Sequence, residues 1–349
     1  WASVRHRMKN SFHHLVVLLL AISCGASLPS TIRSASSGTS NINKLTALSG
    51  KQRLPTFTTS RSAVHIRGGA FSAVSRMDKV GEALQSGPFG VLALTCVAGA
   101  VVIPLTLFRQ AYAFSVGYGY SVFAMALAVF LQFDAINNMM VLTLSSAVMF
   151  YGLRLGTFLL IREWTVPSKA KQLKDFDKSP TLNRIPFALS VSIFYAFMTC
   201  PLMYVARVGE FSTGTLDLFV TQAGISLAWF GALLEAITDG QKFMAKRGVK
   251  DENKFVGPTQ GFYRLCRHPN YFGELLFWFG LALAGLPSFG KNAVAWICTS
   301  LGILGIFSIM KNATKRLDAK QKEKYSGQKV YKEYRKNVRA SLWPGIDTK

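Results

Sequence analysis

An all-α, polytopic membrane bundle with six or seven transmembrane helices is the fold class this sequence predicts. Composition points there first: half of the 349 residues are hydrophobic and only 16% are charged, between what globular and multi-spanning chains usually carry. Run length then decides. Mostly apolar segments near 88–108, 112–133, 137–161, 184–206, 216–237, 271–287 and 293–310 are each about 16 to 25 residues long. A helix needs roughly 20 residues to cross the hydrocarbon core, and shorter runs can be tilted, re-entrant or packed against neighbours. The alternative is a soluble protein with several buried helices.

Residues 1–80 are of another kind. From Met8 the chain reads MKNSFHHLVVLLLAISCGAS: a basic start, a short apolar core and small residues at a plausible cleavage point, as in a secretory signal peptide. The stretch that follows is rich in Ser, Thr and Arg and poor in acids, which is the composition of a transit peptide. A signal followed by a transit peptide is the two-part address of plastids that lie inside extra membranes; a signal with a disordered linker is the alternative. We therefore expect residues 1–80 to be a targeting region with little ordered structure, and residues 81–349 to form the bundle. Its destination would be the endoplasmic reticulum or a plastid membrane.

The net charge of +23 is concentrated at the two ends of the chain. Asp78 is the only acid in residues 1–80, and the basic stretch from Lys311 is punctuated by Asp318, Glu323, Glu333 and Asp347. Neither end interleaves aromatic with basic residues as a single-strand groove does, so no nucleic-acid partner is expected, and a positive-inside bias accounts for the second end. The cysteines Cys24, Cys96, Cys200, Cys266 and Cys298 are scattered and contain no C-x-x-C pair. His268 is the only histidine beyond residue 80. A multi-histidine or cysteine metal centre is therefore not expected.

Two polar stretches interrupt the apolar runs. Residues 162–184, REWTVPSKAKQLKDFDKSPTLNR, carry charges and prolines that resist burial. Residues 238–270 are long, charged and glycine-bearing, and form the best candidate for an interfacial ligand platform. No Gly-x-Gly-x-x-Gly follows a strand, so a Rossmann domain is not expected.

Three clusters carry chemistry. In VMFYGLRLGTFLLIR, Arg154 is flanked by apolar residues on both sides. An arginine inside a spanning helix costs roughly 3 kcal/mol on insertion scales, so it should face the bundle interior and meet an acid or a phosphate; Arg162, near the helix end, can snorkel. In LLEAITDGQKFMAK, Glu235, Asp239, Lys242 and Lys246 follow a 4, 3, 4 spacing and share a helix face. Pairing within the helix would explain them on an exposed end, but Glu235 follows an apolar run and so begins at membrane depth. In RLCRHPNYFGELLFWFG, Pro269 suits a first helical turn, and Asn270, Glu274 and Trp278 then lie on one stripe. A plain helix end, with Glu274 snorkelling or paired to Arg267, is the bland reading. A polar pocket facing a ligand is the other, since a helix end does not need Arg, His, Asn and Glu together.

The segments LRLGTFLLIR, EAITDGQK and RHPNYFGE, in that order and followed by KYSGQKVYKEYRKNVRASLWPGI, resemble the steroid 5-alpha-reductase C-terminal domain superfamily, in its DUF1295 branch. The resemblance covers about residues 90–346 and implies a membrane helix bundle that binds NADPH from the cytosolic side and reduces a carbon–carbon double bond. It implies that Asp239, Arg267, His268, Asn270, Tyr271 and Glu274 line the cofactor pocket, with Asn270 and Glu274 at the nicotinamide end and basic residues such as Arg154 and Lys242 toward phosphates. Tyr331 and Tyr334 match a tail that closes over the cofactor, with Arg316 as the basic residue preceding them. Phe262 and Tyr263 stand where branch members usually carry tryptophan, and the resemblance places no proton donor.

Isoprenylcysteine carboxyl methyltransferases are similar folds with an Arg-His-Pro-x-Tyr motif, and their cofactor is S-adenosylmethionine. Asn270 with Glu274 favours the reductase, because an amide and a carboxylate together can satisfy a carboxamide's donors and acceptor. A non-catalytic membrane protein that binds lipid in the same pocket is the third reading. The expected substrate is an apolar lipid or other small molecule, such as a sterol, isoprenoid or enoyl chain.

Overall fold

The computed structural model describes residues 89–133, 135–177, 179–208, 215–246 and 253–347; the expected targeting region lies outside them. Its helices are α1 (Val91–Phe108), α2 (Val116–Gln132), α3 (Met139–Thr165), α4 (Pro167–Asp175), α5 (Ile185–Val208), α6 (Thr215–Lys246), α7 (Pro269–Phe289), α8 (Ala293–Tyr325) and α9 (Lys329–Asn337). Among the described residues the architecture is all-helical, with one isolated bridge between Ala340 and Asp347. The helices α1, α3, α5, α6, α7 and α8 are long and apolar enough to cross a membrane, and α2 is a shorter apolar helix. The chain is an integral membrane protein by this measure.

Local chemistry explains the helix ends. Asn138 and Asn292 cap α3 and α8 by accepting from the backbone N–H groups of Met140 and Val141, and of Val294 and Ala295. His268 is the residue before α7, and Pro269 begins it, where a missing N–H costs nothing.

Three helices differ from the apolar runs. The polar stretch 162–184 contains α4, started by Pro167. α6 runs past its apolar run, through the Glu235–Lys246 stripe that shares one helix face, to Lys246, and α8 continues from its apolar half to Tyr325. The α8 extension is rich in Lys and Ala, residues with high helix propensity, and the α6 extension carries Gln, Met, Ala and two Lys of the same kind. Hydropathy marks where a helix leaves the bilayer, not where it ends.

Glycine sets the closest contacts. A Cβ on Gly231 of α6 would lie 2.3 Å from the backbone N of Phe277 on α7, and one on Gly280 would lie 2.3 Å from that of Ala228. The α2–α3 pair is the same: a Cβ on Gly119 would sit 2.3 Å from Gly156 N. In lipid, where apolar faces gain little by leaving the solvent, small residues let backbones approach and dispersion hold them. These two appressed pairs bring the polar residues of α2, α3, α6 and α7 to one level.

One side of the bundle carries a polar cap. It comprises residues 253–268, the outer half of α8, α9 and the tail to residue 347. Phe255 packs against Tyr325, Tyr331 and Tyr334 with ring centroids 5.5, 5.0 and 5.7 Å away. Tyr334 Oη donates to Tyr263 O at 3.1 Å, and Tyr263 Oη donates to Thr238 O on α6, also at 3.1 Å. The cap is thus bonded directly to the end of α6. On the same side, Arg109 pairs with Glu163, and Arg184 donates to Leu107 O at 3.5 Å, tying the ends of α1 and α3 to the start of α5.

Candidate functional site

The expectation that Arg154 meets an acid inside the bundle is met twice over. Its Nη1 donates to Asp239 Oδ2 at 3.0 Å and its Nη2 lies 3.1 Å from Glu235 Oε1. Both acids are on α6, one turn apart, so a single guanidinium from α3 spans them. Glu235 is 2% exposed and Asp239 7%. From α7, Asn270 Nδ2 donates to Asp239 Oδ1 at 3.2 Å. Two acceptors in this cluster are buried without a hydrogen-bond partner, Glu235 Oε2 and Asn270 Oδ1. Orphan acceptors at such depth are costly, by about 1–3 kcal/mol each, unless a donor arrives.

Deeper in the bundle the site becomes aromatic. Tyr118 of α2 donates its hydroxyl to Glu274 Oε1 at 2.9 Å, receives Trp278 Nε1–H at 2.8 Å and lies 3.0 Å from Tyr151 Oη. Since Tyr118 has one proton to give and the indole can only donate, the carboxyl of Glu274 is the acceptor on which this chain of bonds ends. Tyr151 stacks on Phe277 at 3.9 Å, and Tyr195 of α5 closes on Tyr118 at 4.9 Å. Glu274 is therefore neither snorkelling nor paired to Arg267, as the helix-end reading required.

Toward the polar cap the sign of the charge reverses. Lys242 and Arg162 stand close enough to Asp239 to act on its charge, together with Arg154. Lys242 in turn feels the repulsion of Lys246, Arg162 and Lys169. Tyr271 lies among the charges of Glu274, Asp239, Arg162 and Arg316. Cations from α3, α4 and α6 thus act on one another where the cluster meets the cap, and one from α8 acts on Tyr271 beside them.

Arg267 and His268 are arranged otherwise. Arg267 sends Nη2 to Asp318 Oδ2 at 2.6 Å and Nε to Oδ1 at 3.3 Å, while Nη1 donates to Val338 O and Arg339 O at 2.9 and 2.6 Å. His268 Nε2 lies 2.9 Å from Asp318 Oδ1, Ser341 Oγ donates to Asp318 Oδ2 at 2.7 Å, and the N–H groups of Arg267 and His268 donate to Ala340 O and Ser341 O, both at 3.0 Å. This is a clamp that fixes the C-terminal tail to α8 and to the start of α7. His268 is fully buried, its Nδ1 has no partner, and desolvation holds its pKa below the ordinary imidazole value, against the pull of Asp318. Tyr331 and Tyr334 are buried in the cap, the first accepting from Arg335 Nη1 at 3.2 Å.

Of the residues expected to line one pocket, the fold therefore gathers Arg154, Asp239, Asn270 and Glu274 inside, with Lys242, Tyr271 and Arg316 at the mouth. Arg267, His268, Tyr331 and Tyr334 belong to the cap that covers it, and their polar contacts run to the chain itself. Sequence reasoning did not assign Tyr118, Tyr151 or Asp318 to any site. A signal for the tyrosines exists: a hydroxyl within an apolar run must find a partner when buried. Nothing local marks Asp318, which sits in a lysine-rich helix like any solvated acid.

Helices, sidedness and cluster define a polytopic membrane protein with a charged site buried between α3, α6 and α7. Residues 106–338 match the model of the family described as a protein of unknown function, DUF1295. That is more than half of the chain, and the chain belongs to the DUF1295 family. No curated protein and no solved structure matches it.

Proposed function

We propose that the protein is a membrane-embedded, NADPH-dependent reductase of a carbon–carbon double bond in an apolar lipid or sterol-like substrate, as its resemblance to the steroid 5-alpha-reductase superfamily suggests. The observation that carries the reading is the polarity of the site along its length. At its inner end, orphan acceptors on Asn270 and Glu235 stand beside Glu274; at its outer end, Lys242, Arg162 and Arg316 converge. A carboxamide offers N–H donors to the first set, and phosphates suit the second. Residues of this chain fit a nicotinamide dinucleotide in that sense, and such a group, when bound, supplies the hydride.

The chain's own residues orient and exclude. Asn270 is held by Asp239, which is held by Arg154, so the amide's free oxygen has a fixed direction. The rings of Tyr118, Tyr151, Phe277 and Trp278 keep the inner end dry, where electrostatic interactions are stronger. The endoplasmic reticulum or a plastid membrane, reached by an N-terminal signal, is the location this reading favours.

S-adenosylmethionine is the rival cofactor, because its sulfonium would suit the acids. It carries no phosphate for the outer cations, which favours the dinucleotide. A thermal-shift experiment on the detergent-solubilised protein separates them: NADPH should raise Tm, since a ligand of the folded state stabilises it by mass action, and S-adenosylmethionine should not. The opposite result would make the protein a methyltransferase. A shift with neither would favour the lipid-binding reading.

A further inference from the structure

The inner end of the site holds more acid than base. Asp239 faces three cations, Arg154, Lys242 and Arg162. Setting it aside leaves Glu235 and Glu274 a share of one guanidinium, Arg154, with each other and Asp239 as like charges. The remaining groups that face them bring no positive charge. These are Asn270 and Trp278 of α7, Tyr118 of α2, Tyr151 of α3 and Tyr195 of α5. Farther out stand Tyr271, Lys246, Lys169 and Arg316, with the enclosed His268, whose pKa burial holds down, against Asp318 in the cap. Glu235 keeps an oxygen with no partner. An unpaired buried carboxylate is strongly unfavourable, so the surplus acid is accommodated either by a proton or by a cation.

We propose that Glu235 and Glu274 hold one carboxyl proton between them and release it when a cationic ring occupies the inner end, so that the site binds the oxidised, positively charged nicotinamide more tightly than the reduced, neutral one. The inference rests on the dinucleotide reading. Oxidised and reduced dinucleotides share their phosphates and carboxamide, so the outer cations and Asn270 treat them alike. The ring charge is what differs, and it falls beside the surplus acid. Aromatic faces around that acid add attraction for a cation over a neutral ring.

Binding of NADP⁺ and of NADPH to the detergent-solubilised full chain, measured by calorimetry at pH 6 and pH 8 in buffers of different ionisation enthalpy, tests this. NADP⁺ should release close to one proton more than NADPH at pH 6 and gain about tenfold in affinity relative to NADPH on going to pH 8. Protonation of the shared phosphates cancels in that ratio. Glu235→Gln, which keeps the shape and the neutral form, should abolish both the extra proton release and the preference. If that variant does not fold, the two-buffer proton count on the unaltered protein decides alone. Equal affinities with equal proton counts for the two forms would overturn the inference and leave the dinucleotide reading standing. Failure of both forms to bind would overturn that reading and the inference with it.

Discussion

Glu274 tests the site at the scale of a single residue. Its carboxyl accepts from Tyr118 within an enclosed aromatic shell. Glu274→Gln preserves size but removes the charge and one acceptor. It should weaken NADPH binding by about 1–3 kcal/mol, the usual cost of an unsatisfied buried partner, while Tm moves less; unchanged affinity in a folded variant would sink the reductase assignment. Arg267 calls for a different prediction. The resemblance implies that Arg267 lines the cofactor pocket, and its fork instead holds Asp318 and two tail carbonyls. Arg267→Lys cannot reproduce that fork. It should lower stability by about 1.5–3 kcal/mol and expose residues 338–347 to protease, read by melting and limited proteolysis side by side.

His268 adds a pH dependence with a definite sign. Its folded pKa lies below the unfolded value of about 6.5, so below that pH the unfolded chain binds the proton more readily than the folded one. The stability it contributes is complete above about pH 6.5 and is lost as pH falls toward the lowered folded value. Melting curves between pH 8 and pH 5 should show this loss, and His268→Gln should flatten that part of the profile.

At the scale of the element, the α6–α7 contact positions the site. Gly273 faces the backbone of Glu235 and Gly231 that of Phe277, one turn or so from the level at which Asp239 and Asn270 meet, and their Cβ atoms would collide with backbone. Gly231→Ala should therefore force the helices apart, with a loss of about 1–3 kcal/mol and of NADPH-induced stabilisation. Gly240, on the same helix, has nothing within 4 Å of a Cβ. Gly240→Ala should be neutral or stabilise by roughly 0.5–1 kcal/mol, as alanine does inside a helix. Thermal-shift measurements with and without NADPH on the two variants check both statements. If Gly231→Ala matched Gly240→Ala, close packing would not be what sets the site.

At the scale of the whole molecule, charge is unevenly divided between the two sides. The side that carries the cap also carries α4, with Lys169, Lys171 and Lys174, and the lysine-rich end of α8. The opposite connection between α7 and α8 has Lys291 alone. Positively charged connections stay cytoplasmic, so the cap and the mouth of the site should face the cytoplasmic side of the membrane. A reporter or protease-cleavable tag fused after residue 349 should be accessible from that side only. Access from the opposite side would invert the topology and remove a soluble cytosolic cofactor from reach.

The sequence by itself determined the bundle, the levels at which it is polar, and most of the residues at those levels. Burying Arg154 or Glu274 in an apolar run is so unfavourable that each had to have a polar partner, whichever helix supplied it. Hydropathy likewise had to locate the spans, because lipid offers no partner to an open backbone. The identity of each partner is a different matter. That Arg154 bridges Glu235 and Asp239, that Glu274 takes Tyr118, and that Arg267 takes Asp318 depend on contacts between residues 51 to 156 positions apart in the chain. The glycine contacts across α2–α3 and α6–α7 fix the register within each pair; the pairings themselves join different pairs, and the start of α7 to α8. Periodicity assigns residues to a face of one helix, and only the packed bundle decides which faces meet.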